Sequence, residues 1–199
     1  QLGKTELAFV KRGEQQQRRN ITGISGALPP ENGLVRIRCR CETAAQIGLT
    51  EDAAGHRGVF LGGGFEDVED IRDGAALTSI FRETAPDFVF HLAAQPLVRR
   101  SHSNPVETWQ TNTLGTVNVL EALRVLKNPC AAVLITSDKC YDNVEWVWGY
   151  RETDALGGPD PYSASKGAAE LAIRSYVRSY FPKNGLIRIG VGRAGNVIG

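Results

Sequence analysis

Methionine is missing altogether, and only three histidines and four cysteines occur in 199 residues. A structural zinc needs four ligands. The cysteines are Cys39, Cys41, Cys130 and Cys140. Cys39-Arg40-Cys41 has no second pair or histidine cluster to complete such a site, so free thiols in a reducing cytoplasm are expected, and no metal. No apolar run approaches the roughly 20 residues of a membrane-spanning helix, and no signal-peptide pattern opens the chain. Neither sign of charge is in excess. The 23 Lys and Arg stand against 22 Asp and Glu, a net charge of +1, which gives no basic footprint for nucleic acid. Gln1 is not an initiating residue and Gly199 follows a strand-like run, so both ends read as cut.

What is present is a hydrophobic content of 42%, which suits one domain with a sizeable core. Residues 1–66 read as an irregular segment, with Leu34 to Arg38 its one alternating run. From Asp70 the pattern becomes regular. Asp73 precedes a helix expected over 74–84, with Leu77, Ile80 and Phe81 on its apolar side. Asp87 to Ala94 reads as a strand. Asn104-Pro105 offers a cap and a first helical residue for a helix to about Leu126, with Trp109, Leu114, Val117, Leu120, Leu123 and Val125 near its buried side. Ala131 to Ile135 is a buried strand. A helix follows from about Pro161 to Phe181, its expected stripe including Ala168, Leu171, Ala172, Ser175 and Tyr176. Leu186 to Val191 is a last strand. This βαβαβ order argues an α/β fold with a doubly wound parallel sheet of Rossmann type, incomplete as given.

Two stretches carry the chemistry. Thr136-Ser137-Asp138-Lys139-Cys140-Tyr141 ends one strand, and Asp160-Pro161-Tyr162-Ser163-Ala164-Ser165-Lys166 opens the long helix. Strand ends and helix starts are where open α/β sheets gather their ligands. Tyr162 and Lys166 stand four apart and share a helical face. An ammonium beside a phenol favours the phenolate, a base able to take a hydroxyl proton. Trp146, Trp148 and Tyr150 read either as a sugar or nucleotide platform or as a loop packed on its own domain. Arg99 and Arg100 read either as pyrophosphate ligands or as solvated surface. His91 reads as a strand residue, and Cys140 as a packed side chain.

These motifs, with HLAAQPLVRRS at 91–101, NTLGT at 112–116, EWVWGYRE at 145–152 and RAGNVIG at 193–199, resemble the extended short-chain dehydrogenase/reductase family. Within it they are most similar to the branch that dehydrates CDP-glucose. The resemblance covers about residues 67–199 and implies a partial NAD-binding and catalytic domain without its substrate domain. It implies NAD as cofactor and a nucleotide sugar as substrate, converted to the 4-keto-6-deoxy sugar by internal hydride cycling. It implies that Tyr162 takes the proton of the sugar 4-hydroxyl, with Ser137 on the 4-oxygen, Asp138 the acid for the departing 6-hydroxyl, and Lys139 the base at carbon 5. A lysine acting as base must be neutral, which calls for burial or positive neighbours. Lys166 would also hold the nicotinamide ribose, Asn112 would support the tyrosine helix, Ala93, Ala94 and Gln95 would line the dinucleotide, and Asp70 and Ile71 would sit by its adenine. Asn196 and Arg99 would meet the substrate's phosphates. A homodimer through the helices near 105–126 and 161–181 is a further implication. A related epimerase is the alternative activity, and Asp138-Lys139 counts against it.

The family's Gly-rich pyrophosphate loop, set at a helix N-terminus, is not found intact. Thr22-Gly23-Ile24-Ser25-Gly26 meets Pro29 where a third glycine belongs. Gly55-His56-Arg57-Gly58 stands too close to Asp70 to leave room for a strand and helix. The chain by itself is therefore expected to be a non-catalytic remnant of such an enzyme. Calorimetry on these 199 residues should give no NAD binding; micromolar affinity would restore one of the two glycine stretches as a working loop.

Overall fold

The computed structural model describes residues 46–51, 57–62 and 70–195. Expectations for the Leu34–Arg38 run, Cys39, Cys41, the Thr22–Gly26 stretch and Asn196 lie outside them. The strongest local signals shape the elements as read. Asp73 caps helix α1, Gly74–Thr84, its carboxylate accepting from the Ala75 and Ala76 amides at 3.0 Å. Leu77, Ile80 and Phe81 are the buried side of that helix. Strand β3 spans Phe88–His91, β4 Cys130–Ser137 and β5 Ile187–Ala194. Helix α5, Pro161–Tyr180, has proline in its first turn, and its Asp160 cap accepts from the Ser163 amide at 3.0 Å. Proline there lacks only an amide hydrogen that a first turn leaves unused.

Two strands fall inside residues 1–66, which the sequence presents as irregular: β1, Gln46–Glu51, and β2, Arg57–Gly62. Each is short and interrupted by glycine, so neither shows a clean alternation. β1 pairs antiparallel with β2, Gln46 opposite Gly62 through Glu51 opposite Arg57. The sheet then continues parallel through β2, β3, β4 and β5 in that spatial order. Arg57 and Gly58, the end of the second candidate phosphate loop, are strand residues here, Gly58 opposite Phe88.

With strands ordered in one direction, right-handed crossovers bring all their helices to one face. The core agrees: Val59, Val89, Ala132 and Leu134 of the sheet form one buried cluster with residues of α1, α5 and the helix between them. The second helical layer of a doubly wound sheet does not occur among the described residues.

The middle helix departs from its expected form. A short helix α2, Val98–Ser103, precedes it, and Asn104 makes no side-chain cap bond. Beyond it the run divides into α3, Pro105–Trp109, a π-helical turn at Gln110–Leu114, and α4, Gly115–Arg124. A π turn holds an extra residue and so rotates the face that follows. Trp109, ahead of the turn, and Leu114, at its end, stay exposed, while Thr108, Thr111 and Asn112 turn inward. On α5 the buried face is also rotated from expectation: Tyr162, Lys166, Ala169, Glu170 and Ile173 are buried, whereas Leu171 is 49% exposed. Apolar periodicity missed that face because two of its residues are charged.

Gly115 allows α4 to lie against Ile71. A Cβ added there would stand 2.5 Å from the Ile71 Cδ1, and Ile71 is fully buried. Gly115→Ala should therefore lose about 1–3 kcal/mol through overpacking, read as a lower urea midpoint. An unchanged midpoint would mean that Ile71 relocates freely.

Candidate active site

The carboxyl end of β4 and the turn that follows it pack against α5. At the end of β4, Ser137 begins a 3-10 turn, Asp138–Cys140, and its Oγ accepts from the Lys139 amide at 3.2 Å. The Ser137 hydroxyl donates to Asp138 Oδ1 at 3.0 Å, and the Lys139 ammonium donates to Asp138 Oδ2 at 3.0 Å. Burial pulls the Asp138 carboxyl upward, but hydrogen bonds from Lys139 and Ser137 outweigh it and hold it below the usual carboxylate range. Asp138 is thus ionised at neutral pH. Lys139 lacks the burial expected around it, for its side chain is 55% exposed, and its ammonium is paired with an acid.

This turn packs against α5. Gly167 permits the approach, since a Cβ there would lie 3.3 Å from the Cys140 carbonyl oxygen. Tyr162 and Lys166 are both buried on the facing side, and the Lys166 ammonium lies 5.9 Å from the Tyr162 ring centre. Burial lowers the Lys166 ammonium to about 8, against a small opposing effect of Cys140. None of the described residues hydrogen-bonds that ammonium. Cys140 is fully buried and its thiol is pushed up to about 11 by burial, so it is a packed side chain and not a ready nucleophile. Among the described residues no three histidine, cysteine, aspartate or glutamate side chains come together to hold a metal ion.

Asn112, in the π turn, ties the strand end to the tyrosine helix. Its Oδ1 accepts from the Gln95 amide at 2.8 Å, and its Nδ2 donates to the Gln95 carbonyl at 3.2 Å and to Ser165 Oγ at 3.0 Å. Gln95 turns inward: its amide donates to Thr108 Oγ1 and the Leu97 carbonyl and accepts from the Leu97 amide. The Gln95 side chain is thus spent within the protein, and beside it Ala93 is buried and Ala94 half-buried. Ile71 likewise buries its side chain beneath α4, and Asp70 is engaged by Arg72. Arg99 is exposed on α2 and has no ion pair among the described residues, whereas Arg100 pairs with Glu107 at 3.0 Å.

His91 faces the core. Its Nε2 lies 3.0 Å from Thr116 Oγ1, whose own proton goes to the Asn112 carbonyl. Nε2 must therefore be the donor, which leaves Nδ1 bare and without a partner. Burial, aided by Lys166, lowers the imidazolium to about 3. The unfolded chain takes up that proton near 6.5 and the folded chain does not, so this group's contribution is present above 6.5 and lost as pH falls towards 3. It amounts to about 5 kcal/mol at most. His91→Leu should flatten the fall of the urea midpoint over that window; an equally steep fall would assign the acid sensitivity elsewhere.

One cluster escaped sequence reasoning. Glu170 is the next turn of the Tyr162–Lys166 face, and its carboxylate accepts from Arg193 Nε and Nη2 at 3.0 Å each and from the Thr136 hydroxyl. Arg193 Nη1 donates to the Tyr141 hydroxyl at 2.8 Å and to the Glu152 carbonyl at 3.2 Å. The i+8 spacing of a charged residue on the catalytic face was the available signal. The aromatic loop begins on this cluster: Tyr141 stacks on Tyr150 at 5.1 Å, and Trp146 packs against Tyr150 and Trp148 at 5.2 and 5.5 Å.

The family model described as GDP-mannose 4,6 dehydratase matches residues 65–184. The chain is 53% identical over 136 residues to CDP-glucose 4,6-dehydratase of Salmonella typhimurium, covering 66% of this chain and 38% of that protein. It is 34% identical over 128 residues to dTDP-glucose 4,6-dehydratase 1 of Escherichia coli, covering 56% of this chain and 36% of the relative. Among solved structures it resembles dTDP-glucose 4,6-dehydratase from Streptomyces venezuelae with NAD bound, at a TM-score of 0.54 and 28% identity, over 63% of this chain and 37% of that one. The chain thus spans about two fifths of the length of the curated relatives it matches.

Proposed function

We propose, since this chain belongs to the GDP-mannose 4,6 dehydratase family, that it carries the catalytic segment of a CDP-glucose 4,6-dehydratase. The observation that carries this reading is the Asp138–Lys139 contact of 3.0 Å in a turn packed on the tyrosine helix. The higher identity to the CDP-glucose relative than to the dTDP-glucose one supports the choice of nucleotide.

The residues present fit the nicotinamide end of NAD. Lys166 is a buried ammonium with no acceptor among the described residues, suited to ribose hydroxyls, and it stands beside Tyr162. NAD, when bound, supplies the hydride acceptor and donor of the internal redox cycle. Tyr162 takes the proton from the sugar 4-hydroxyl, and Ser137 hydrogen-bonds the 4-oxygen. Elimination then removes a proton from carbon 5 and gives one to the departing 6-hydroxyl. The Asp138–Lys139 pair holds the right number of protons for this. Moving one across its 3.0 Å contact turns the ion pair into a carboxylic acid and a neutral amine, the acid for oxygen 6 and the base for carbon 5. Arg99, exposed and without an ion pair among the described residues, is available to a substrate phosphate, and we assign Asn196 the same role.

The enzyme is read as cytoplasmic and homodimeric. Among the described residues no helix is long and apolar enough to cross a membrane, and α3 and α5 leave Val106 and Leu171 exposed for a partner. The test is a chimera in which the segment 65–184 replaces its counterpart in the Salmonella typhimurium enzyme. Its product from CDP-glucose should be lighter by one water in mass spectrometry. A folded chimera that leaves CDP-glucose untouched removes the reading.

A further inference from the structure

Tyr162, Lys166 and Glu170 follow one another at four-residue intervals on one buried face of α5. A lysine and a glutamate so spaced ordinarily pair with each other. Here they do not. Both Glu170 oxygens are taken, one by Arg193 Nε and the Thr136 hydroxyl, the other by Arg193 Nη2. The guanidinium that takes them comes from the end of β5 and is itself held by the Tyr141 hydroxyl and the Glu152 carbonyl. Lys166 is left facing the Tyr162 ring on its own helix, His91 on β3 and the Cys140 thiol in the 3-10 turn, none of which is an ionised acid. Besides Arg193, Arg174 on α5 acts on Glu170 from a distance.

We propose that Arg193 is a positioning residue that holds the Glu170 carboxylate away from Lys166, keeping the Lys166 ammonium free for the Tyr162 oxygen and for ligand hydroxyls. Its catalytic meaning rests on the dehydratase reading, but the device itself is a property of this chain. Without the guanidinium, the Glu170 carboxylate, one helical turn from Lys166, would keep only the Thr136 hydroxyl and the distant Arg174 cation, and its negative charge would be open to the Lys166 ammonium. That pairing stabilises the charged lysine and withdraws it from the tyrosine. With Glu170 held by Arg193, burial lowers the Lys166 ammonium to about 8 and Glu170 does not act on it.

The proposal is tested by NMR titration of the lysine side-chain resonances in the 199-residue chain, labelled on lysine, with Lys166 assigned through Lys166→Arg. Arg193→Met should raise the Lys166 midpoint by about one pH unit, and Arg193→Lys should leave it in place. Glu170→Gln should lower the midpoint, because it leaves the Arg193 cation unbalanced nearby. A residue that merely braced the fold would move both variants the same way or neither. An Arg193→Met midpoint that is unchanged or lower overturns the proposal. Should Arg193→Met fail to fold by circular dichroism, Glu170→Gln decides: a fall supports the proposal, and an unchanged or raised midpoint overturns it. The readout needs no turnover, so a chimera inactive on CDP-glucose would remove the dehydratase reading and leave this result intact.

Discussion

Tyr162→Phe in the chimera should lower 4-keto-6-deoxy product formation by roughly 10²–10⁴-fold, the usual scale for a positioned proton-transfer group. The hydroxyl is the only polar atom of that side chain, and its ring is already buried beneath the Lys166 ammonium. Phenylalanine keeps the ring packing, so stability should scarcely change and the loss should fall on kcat. Mass spectrometry of the nucleotide pool reads the product, and a thermal melt confirms the fold. Retained turnover would take Tyr162 out of the chemistry and leave α5 as a scaffold only.

Asn112→Ala should be the most costly change that does not touch the reacting groups. One side chain satisfies the amide and carbonyl of Gln95 and the hydroxyl of Ser165. All three residues are buried, so water does not readily replace what alanine removes. An orphaned buried group costs about 1–3 kcal/mol, and a loss of about 3 kcal/mol in urea-derived stability is expected. The chimera should suffer in rate as well. Ser165 precedes Lys166, and an error of about 1 Å in placing a catalytic group is worth up to 10²-fold. A variant as stable as the parent would mean that Thr113, which also bonds α5 through the Ser165 carbonyl at 3.0 Å, carries the link alone.

The tyrosine–lysine pair was legible because its spacing is the period of a helix, and the helix start was legible because Asp160-Pro161 is cap chemistry. The start of α1 was legible for the same reason, through Asp73. The π turn was not, since nothing in Gln110 to Leu114 distinguishes an extra residue in a helix from its absence. Within that turn Leu114 stays exposed, while Thr111 and Asn112 are buried. The Glu170–Arg193 pair lay out of reach because its partners are 23 residues apart and belong to different elements. The Asp138–Lys139 contact shows a third kind of limit. The sequence places Asp138 and Lys139 at neighbouring positions, and the structure adds that their side chains form an ion pair at 3.0 Å. The inward turn of Gln95 is similar: its position beside the strand end was clear, but the direction of its side chain depends on Thr108, a partner on another helix.

The central claim is that this segment performs dehydration through an internal redox cycle, with Tyr162 and the Asp138–Lys139 pair acting on one sugar. The most direct measurement uses CDP-glucose carrying deuterium at carbon 4 of the glucose, converted by the chimera and analysed by NMR. Deuterium found at carbon 6 of the 4-keto product, without exchange into unlabelled product molecules, is the predicted result. Deuterium kept at carbon 4, or returned to it with the configuration inverted, would contradict the account and assign the segment to epimerase chemistry.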